Sequence, residues 1–149
     1  SKDYPDIKFE EMYVDACAMN LIRQPEKFDV VVTTNLFGDI LSDESSQVVG
    51  GLGMAPAANL GDTFALFEPV HGAAFDIAGQ NIANPSSFLL SIKLMLDWLG
   101  AKHNDQKCFE MAKKLESTIF DLVKTGIKTK DIGGDKTTTE FTKQITDNL

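Results

Sequence analysis

The chain has 149 residues, with 22 Asp and Glu against 14 Lys and Arg, a formal net charge of -8 and a pI near 4.6. A surface this acidic repels phosphate backbones and anionic lipid, so neither nucleic acid nor a membrane is an expected partner. With 43% hydrophobic and 24% charged residues the composition is that of a folded globular protein, and the length suits either one domain with a real core or a piece of something larger.

Residues 1–11 are polar and charged, unlike a signal peptide, and no apolar run reaches the ~18 residues of a membrane span. A soluble, cytoplasmic protein is the expectation, and Cys17 and Cys108, far apart and without a Cys-x-x-Cys spacing, read as two reduced structural thiols. Residues 7–13 read as a strand. A helix over 14–24 carries Cys17, Leu21 and Ile22 at helical spacing before Pro25 stops it. The β-branched run FDVVVT at 28–33 predicts a buried strand. Residues 36–49 predict a helix ending in the cluster Gly50, Gly51, Gly53, the best internal breakpoint. A strand is predicted at 64–68, loops at 56–62 and 69–85, and a short helix within the second loop at 75–78. Amphipathic helices follow at 86–99, ended by Gly100, and at 105–124, ended by Gly126; after the turn Asp131-Ile132-Gly133-Gly134 comes a terminal helix over 137–149. Strands alternating with longer helices indicate the α/β class.

Three sets of residues are candidates for chemistry. Asp39 and Asp43 stand four apart on a predicted helix, which puts both carboxylates on one face with Cβ atoms about 5–6 Å apart. A cation between them relieves their repulsion, and hard oxygens at that spacing suit Mg²⁺ or Mn²⁺; the plainer alternative is that both favour the positive end of the helix. Asp15 lies at a strand-helix junction, where a helix cap is the plain alternative. In the stretch FEPVHGAAFDIAG at 67–79, Gly72, Ala73 and Ala74 leave the main chain uncovered for a flat ligand such as adenine. Asp76 would then accept from a ribose diol and repel a 2′-phosphate, choosing NAD over NADP. A satisfied loop histidine and a helix-capping aspartate are the alternatives for His71 and Asp76. Neither a Gly-x-Gly-x-x-Gly after a strand nor a P-loop occurs, and the GGLG at 50–53 does not stand in for one.

The ordered run NLFGDILSDE at 35–44, then GGLG, FEPVHG, DIAG, IANP and D-I-G-G, resembles the isocitrate and isopropylmalate dehydrogenase family across essentially the whole chain. The resemblance covers only the C-terminal half of a family enzyme, and it is closest to 3-isopropylmalate dehydrogenase wording. It implies a two-domain α/β fold, with residues 1–49 in the small dimer-forming domain and 50–149 in the large cofactor-binding one. It implies that Asp15, Asp39 and Asp43 bind Mg²⁺ or Mn²⁺ with the substrate, Asp15 serving catalysis in the site of a neighbouring subunit, so that a complete site needs a homodimer. It also implies that Glu68, His71, Gly72, Ala73, Ala74, Asp76, Ile77 and Asn84 hold the adenosine of NAD. Phe75 departs from the proline of many members.

The implied reaction is metal-dependent oxidative decarboxylation of a small 2-hydroxy dicarboxylic or tricarboxylic acid, 3-isopropylmalate, in leucine synthesis. NAD-linked isocitrate and homoisocitrate enzymes are the near alternatives, and a non-catalytic nucleotide-binding or regulatory subunit the distant one. Lys2 and Lys8 lack the setting of the family's catalytic lysine, and the tyrosine and substrate-gripping arginines have no counterpart, so an inactive fragment is expected.

Overall fold

The computed structural model describes residues 3–149; Ser1 and Lys2, the latter one of the two lysines set aside above, lie outside them. The chain forms two compact units, Ser1–Val48 and Val49–Leu149.

In the first unit, α1 (Val14–Arg23) ends where Gln24 N–H bonds to Asn20 and Pro25 opens a 3-10 turn, and α2 covers Asn35–Val48. A small core of Cys17, Leu21 and Leu41, flanked by Ala18 and Phe28, joins the two helices. The helices match the expected segments, but the strands expected at 7–13 and 28–33 do not form. A strand is stable only when its N–H and C=O groups find a ladder, and among the described residues no segment pairs with either. The β-branched side chains therefore stand in the open, Val30 81% and Val32 91% exposed.

The second unit opens with an antiparallel hairpin, β1 (Pro56–Leu60) and β2 (Ala65–Pro69), in the register Pro56↔Pro69 to Leu60↔Ala65. A loop was expected over 56–62. Instead its turn formers Gly61 and Asp62 make the hairpin bend, closed by Gly61 N–H to the Phe64 carbonyl at 3.0 Å. Pro56 is tolerated because it begins the strand, where no ladder donor is lost. The alternation expected of a half-buried strand is masked by Ala57 and Ala58.

Next come α3 (Ser86–His103), α4 (Gln106–Lys124) and α5 (Thr138–Asn148). The hairpin lies on α3, where Ser91 Oγ donates to the Glu68 carbonyl at 2.7 Å and the rings of Phe67 and Trp98 meet edge to face at 6.2 Å. Helix α3 runs through Gly100, its expected end, and stops at Asn104, whose backbone is left-handed at φ 51°. Gly100 serves packing instead: a Cβ there would lie 3.0 Å from the Phe109 ring of α4. Asp105 caps α4 by accepting from Lys107 N–H, and Thr137 with Glu140 forms a capping box on α5.

Met54, Leu90, Leu115, Ile119, Leu122, Phe141 and Ile145 make the core. On its rim, Lys93 joins Asp97 at 3.1 Å and Glu116 of α4 at 3.2 Å. Partial burial acts to lower the Lys93 ammonium, but hydrogen bonds and charge from these two carboxylates outweigh it and hold it above its ordinary value. Both cysteines are free, and among the described residues no helix is long and apolar enough to cross a membrane.

Candidate functional site

Asp39 and Asp43 are the fifth and ninth residues of α2, whose first turn contains no acid. The field of a helix terminus fades within one turn, so the helix-end explanation of the pair fails. The three serines beside them turn inward on the helix: Ser42, Ser45 and Ser46 donate to the carbonyls of Asp39, Leu41 and Asp43 at 3.1, 2.6 and 2.6 Å. Both carboxylates are exposed and neither takes part in a side-chain hydrogen bond or ion pair. Two carboxylates a helical turn apart fit the hard donor set of Mg²⁺ or Mn²⁺, which accept one or two protein carboxylates and fill the rest with substrate and water.

Asp15 is no helix cap. The cap position of α1 belongs to Tyr13, and the Asp15 carboxylate accepts from the next N–H, that of Ala16, at 2.8 Å. It is exposed. Among the described residues no group of three His, Cys, Asp or Glu side chains converges as a metal cage, so within one chain Asp15 is not brought together with Asp39 and Asp43.

The second cluster lies on the loop after β2. Glu68 is pinned twice: its carboxylate accepts from Asn59 Nδ2 across the hairpin at 3.3 Å, and its carbonyl accepts from Ser91. His71, half-buried, donates through Nδ1 to the Gly72 carbonyl at 2.9 Å, which requires the Nδ1–H tautomer. A Cβ on Gly72 would meet nothing within 4 Å. Gly72, Ala73 and Ala74 are exposed, and Ala74 holds a left-handed backbone at φ 44° before the 3-10 turn Phe75–Ile77. That turn takes no side-chain cap, so Asp76 is not a capping residue; its carboxylate is exposed and unbonded, while its carbonyl accepts from Gln80 Nε2 at 2.7 Å. Ile77 is half-buried beside it.

Asn84 differs from the other seven. It is 8% exposed, donates to Asp131 Oδ2 at 3.0 Å and accepts from Ser86 N–H at 2.9 Å, so its side chain faces inward and cross-links the loop. Asp131, which the sequence marks only as part of a turn and of the D-I-G-G motif, completes this cross-linking together with Asn81, Thr138 and Thr139, none of which the sequence marks as functional. Only the Thr137-x-x-Glu140 box and the glycines after Asp131 hint at them.

The sequence pattern described as "Isocitrate/isopropylmalate dehydrogenase" matches residues 1–149. Among similar proteins, the isocitrate/homoisocitrate dehydrogenase of Thermus thermophilus is 50% identical over 149 residues, covering 100% of this chain and 42% of its own length. The 3-isopropylmalate dehydrogenase of Saccharolobus solfataricus is 56% identical over 129 residues, 86% of this chain and 38% of its own. The crystal structure of isocitrate dehydrogenase from Methylococcus capsulatus superimposes with a TM-score of 0.90 at 41% identity, over 99% of this chain and 42% of that one. The chain thus spans about two fifths of the length of these relatives.

Proposed function

Because the chain belongs to the isocitrate/isopropylmalate dehydrogenase family and has its mixed helix-and-strand fold, we propose that it supplies cation and nucleotide contacts for NAD-linked oxidative decarboxylation of 3-isopropylmalate. What carries the reading is the unpartnered Asp39 and Asp43 pair, exposed beyond the first turn of α2.

Asp39 and Asp43 would hold a Mg²⁺ or Mn²⁺ ion, which would supply Lewis-acid polarisation of the substrate's 2-oxygen and stabilisation of the charge left by loss of CO₂. The protein's share is to fix two carboxylates at one helical turn, with Asp15 of a second subunit completing the site in a homodimer. On the other unit, Gly72 to Ala74 admit the adenine against bare main chain, and the Asp76 carboxylate accepts from the ribose diol and disfavours a 2′-phosphate. In this reading residues 1–49 belong to the small domain and 50–149 to the large cofactor-binding one, and the setting is cytoplasmic leucine synthesis. The relatives' printed names include isocitrate and homoisocitrate enzymes, so those acids are the competing substrates.

Electron paramagnetic resonance of Mn²⁺ tests the cation claim. Asp39→Asn or Asp43→Asn is expected to weaken Mn²⁺ binding about tenfold, because affinity follows ligand charge. Unchanged binding in both variants contradicts it. No turnover of 3-isopropylmalate is expected from these 149 residues alone; NADH formation by them would overturn the assignment to a partial enzyme.

A further inference from the structure

We propose that the turn at residues 129–134 and the first turn of α5 brace the loop at 70–84 in the shape that receives the nucleotide, with Asn81 and Asp131 as positioning residues. The ligand's identity rests on the reading above; the brace itself rests on hydrogen bonds.

Within the loop the bonds are local: Ile77 N–H to Ala74, Ala78 to Phe75 and Gln80 to Ile77, at 3.1 to 3.3 Å, with Gln80 Nε2 to Asp76. Such turns set local curvature but not where the loop lies on the fold. At its start one longer-range bond, Val70 N–H to the Ala55 carbonyl at 3.4 Å, ties it to the hairpin.

At its end the ties multiply. The Asn81 carbonyl accepts from Thr138 N–H at 3.0 Å, and Asn81 Oδ1 accepts from Thr139 N–H at 3.1 Å and from Thr139 Oγ1 at 2.9 Å. Thr138 Oγ1 donates to the Ala83 carbonyl. Asn84 reaches Asp131, whose other oxygen accepts from Thr129 Oγ1 at 2.6 Å. Thr129 is fully buried, and Gly134 N–H closes on its carbonyl at 2.9 Å, so Asp131, itself exposed, is tied to a buried residue.

Asn81 and Ala74 both have left-handed backbones, φ 57° and 44°, a conformation that non-glycine residues keep only where surroundings compensate. At Asn81 the bonds from α5 do so. Ala74 has no side-chain support of its own, so the fixed far end of the loop is what holds the Gly72 to Asp76 surface in place. Fixing a loop in its bound shape raises affinity because less order is lost on binding.

Amide hydrogen exchange and calorimetric NAD titration of the 149-residue chain test this together. Asn81→Gly keeps the left-handed backbone and removes the acceptor; Asp131→Ala releases Asn84; Asn81→Asp restores an acceptor. Asn81→Gly and Asp131→Ala are expected to speed exchange across 70–84 while the hairpin stays protected, and to weaken NAD binding about tenfold, with Asn81→Asp near native in both. Unchanged loop exchange and affinity in Asn81→Gly overturn the brace, even if Asp131→Ala fails to fold. A native chain that ignores NAD, with exchange still accelerated in Asn81→Gly, upholds the brace and sinks the nucleotide reading instead.

Discussion

A Cβ placed on Gly134 would fall 1.9 Å from the Lys128 carbonyl oxygen and 2.4 Å from its carbon, a backbone collision that no rotamer relieves. Gly72 is the opposite case, with open space around it and no left-handed φ, so nothing in the fold asks for glycine there. Urea unfolding should therefore separate them: Gly134→Ala costs at least about 1–3 kcal/mol, the range for overpacking, and Gly72→Ala stays within about 0.5 kcal/mol. If ligand lies against that main chain, Gly72→Ala nevertheless loses NAD affinity; a variant that binds NAD as the native chain does would remove the reason given for the glycine.

Glu140 makes a second prediction at this scale. The Thr137 N–H first, and its hydroxyl second, hold the Glu140 carboxyl below its ordinary value. A carboxylate lowered in the folded state stabilises the fold above its unfolded pKa and loses that contribution as pH falls through the folded one. The stability advantage of the native chain over Glu140→Gln should thus be present at neutral pH and close on acidification below the ordinary glutamate range. A gap that ignores pH contradicts the capping box as its source.

At the scale of elements, Gly100 sits within the last turn of α3 at a helix-propensity cost of up to roughly 0.8–1.0 kcal/mol against alanine, and the Phe109 ring of α4 occupies the space a methyl would need. Gly100→Ala should destabilise the native chain but stabilise a Phe109→Ala background by about that propensity difference. Equal effects in both backgrounds would show that the close approach is not what Gly100 provides.

The same helices explain what the sequence made legible. Periodicity, Pro25 and the glycines that bound the segments are local signals, and they located α1 to α5. They erred at Gly100, whose reason lies on another helix. Strand pairing is not local: FDVVVT has the composition of a strand and no ladder among the described residues, while the small residues of β1 concealed one that exists. For the site, the long motif at 35–44 and the stretch at 67–79 held all the candidate residues but Asp15 and Asn84. The ties of Asn84 to Asp131 and of Asn81 to Thr139 stayed hidden, being side-chain bonds between residues 47 and 58 positions apart.

Across the whole molecule, the acidity of the chain, net charge -8, acquires uses in the proposed function. We propose Asp39 and Asp43, free on α2, for the cation, Asp15 for the site of a neighbouring subunit and Asp76 for the choice of cofactor. The chain matches family members over about two fifths of their length, and the measurement that reaches the central claim of the proposal most directly is nucleotide choice. Calorimetric titration of the chain with NAD and with NADP, in the presence of Mg²⁺, should give NAD the tighter site by about tenfold or more, with the preference reduced in Asp76→Asn. NADP binding as tightly as NAD, or neither nucleotide binding at all, would contradict the account.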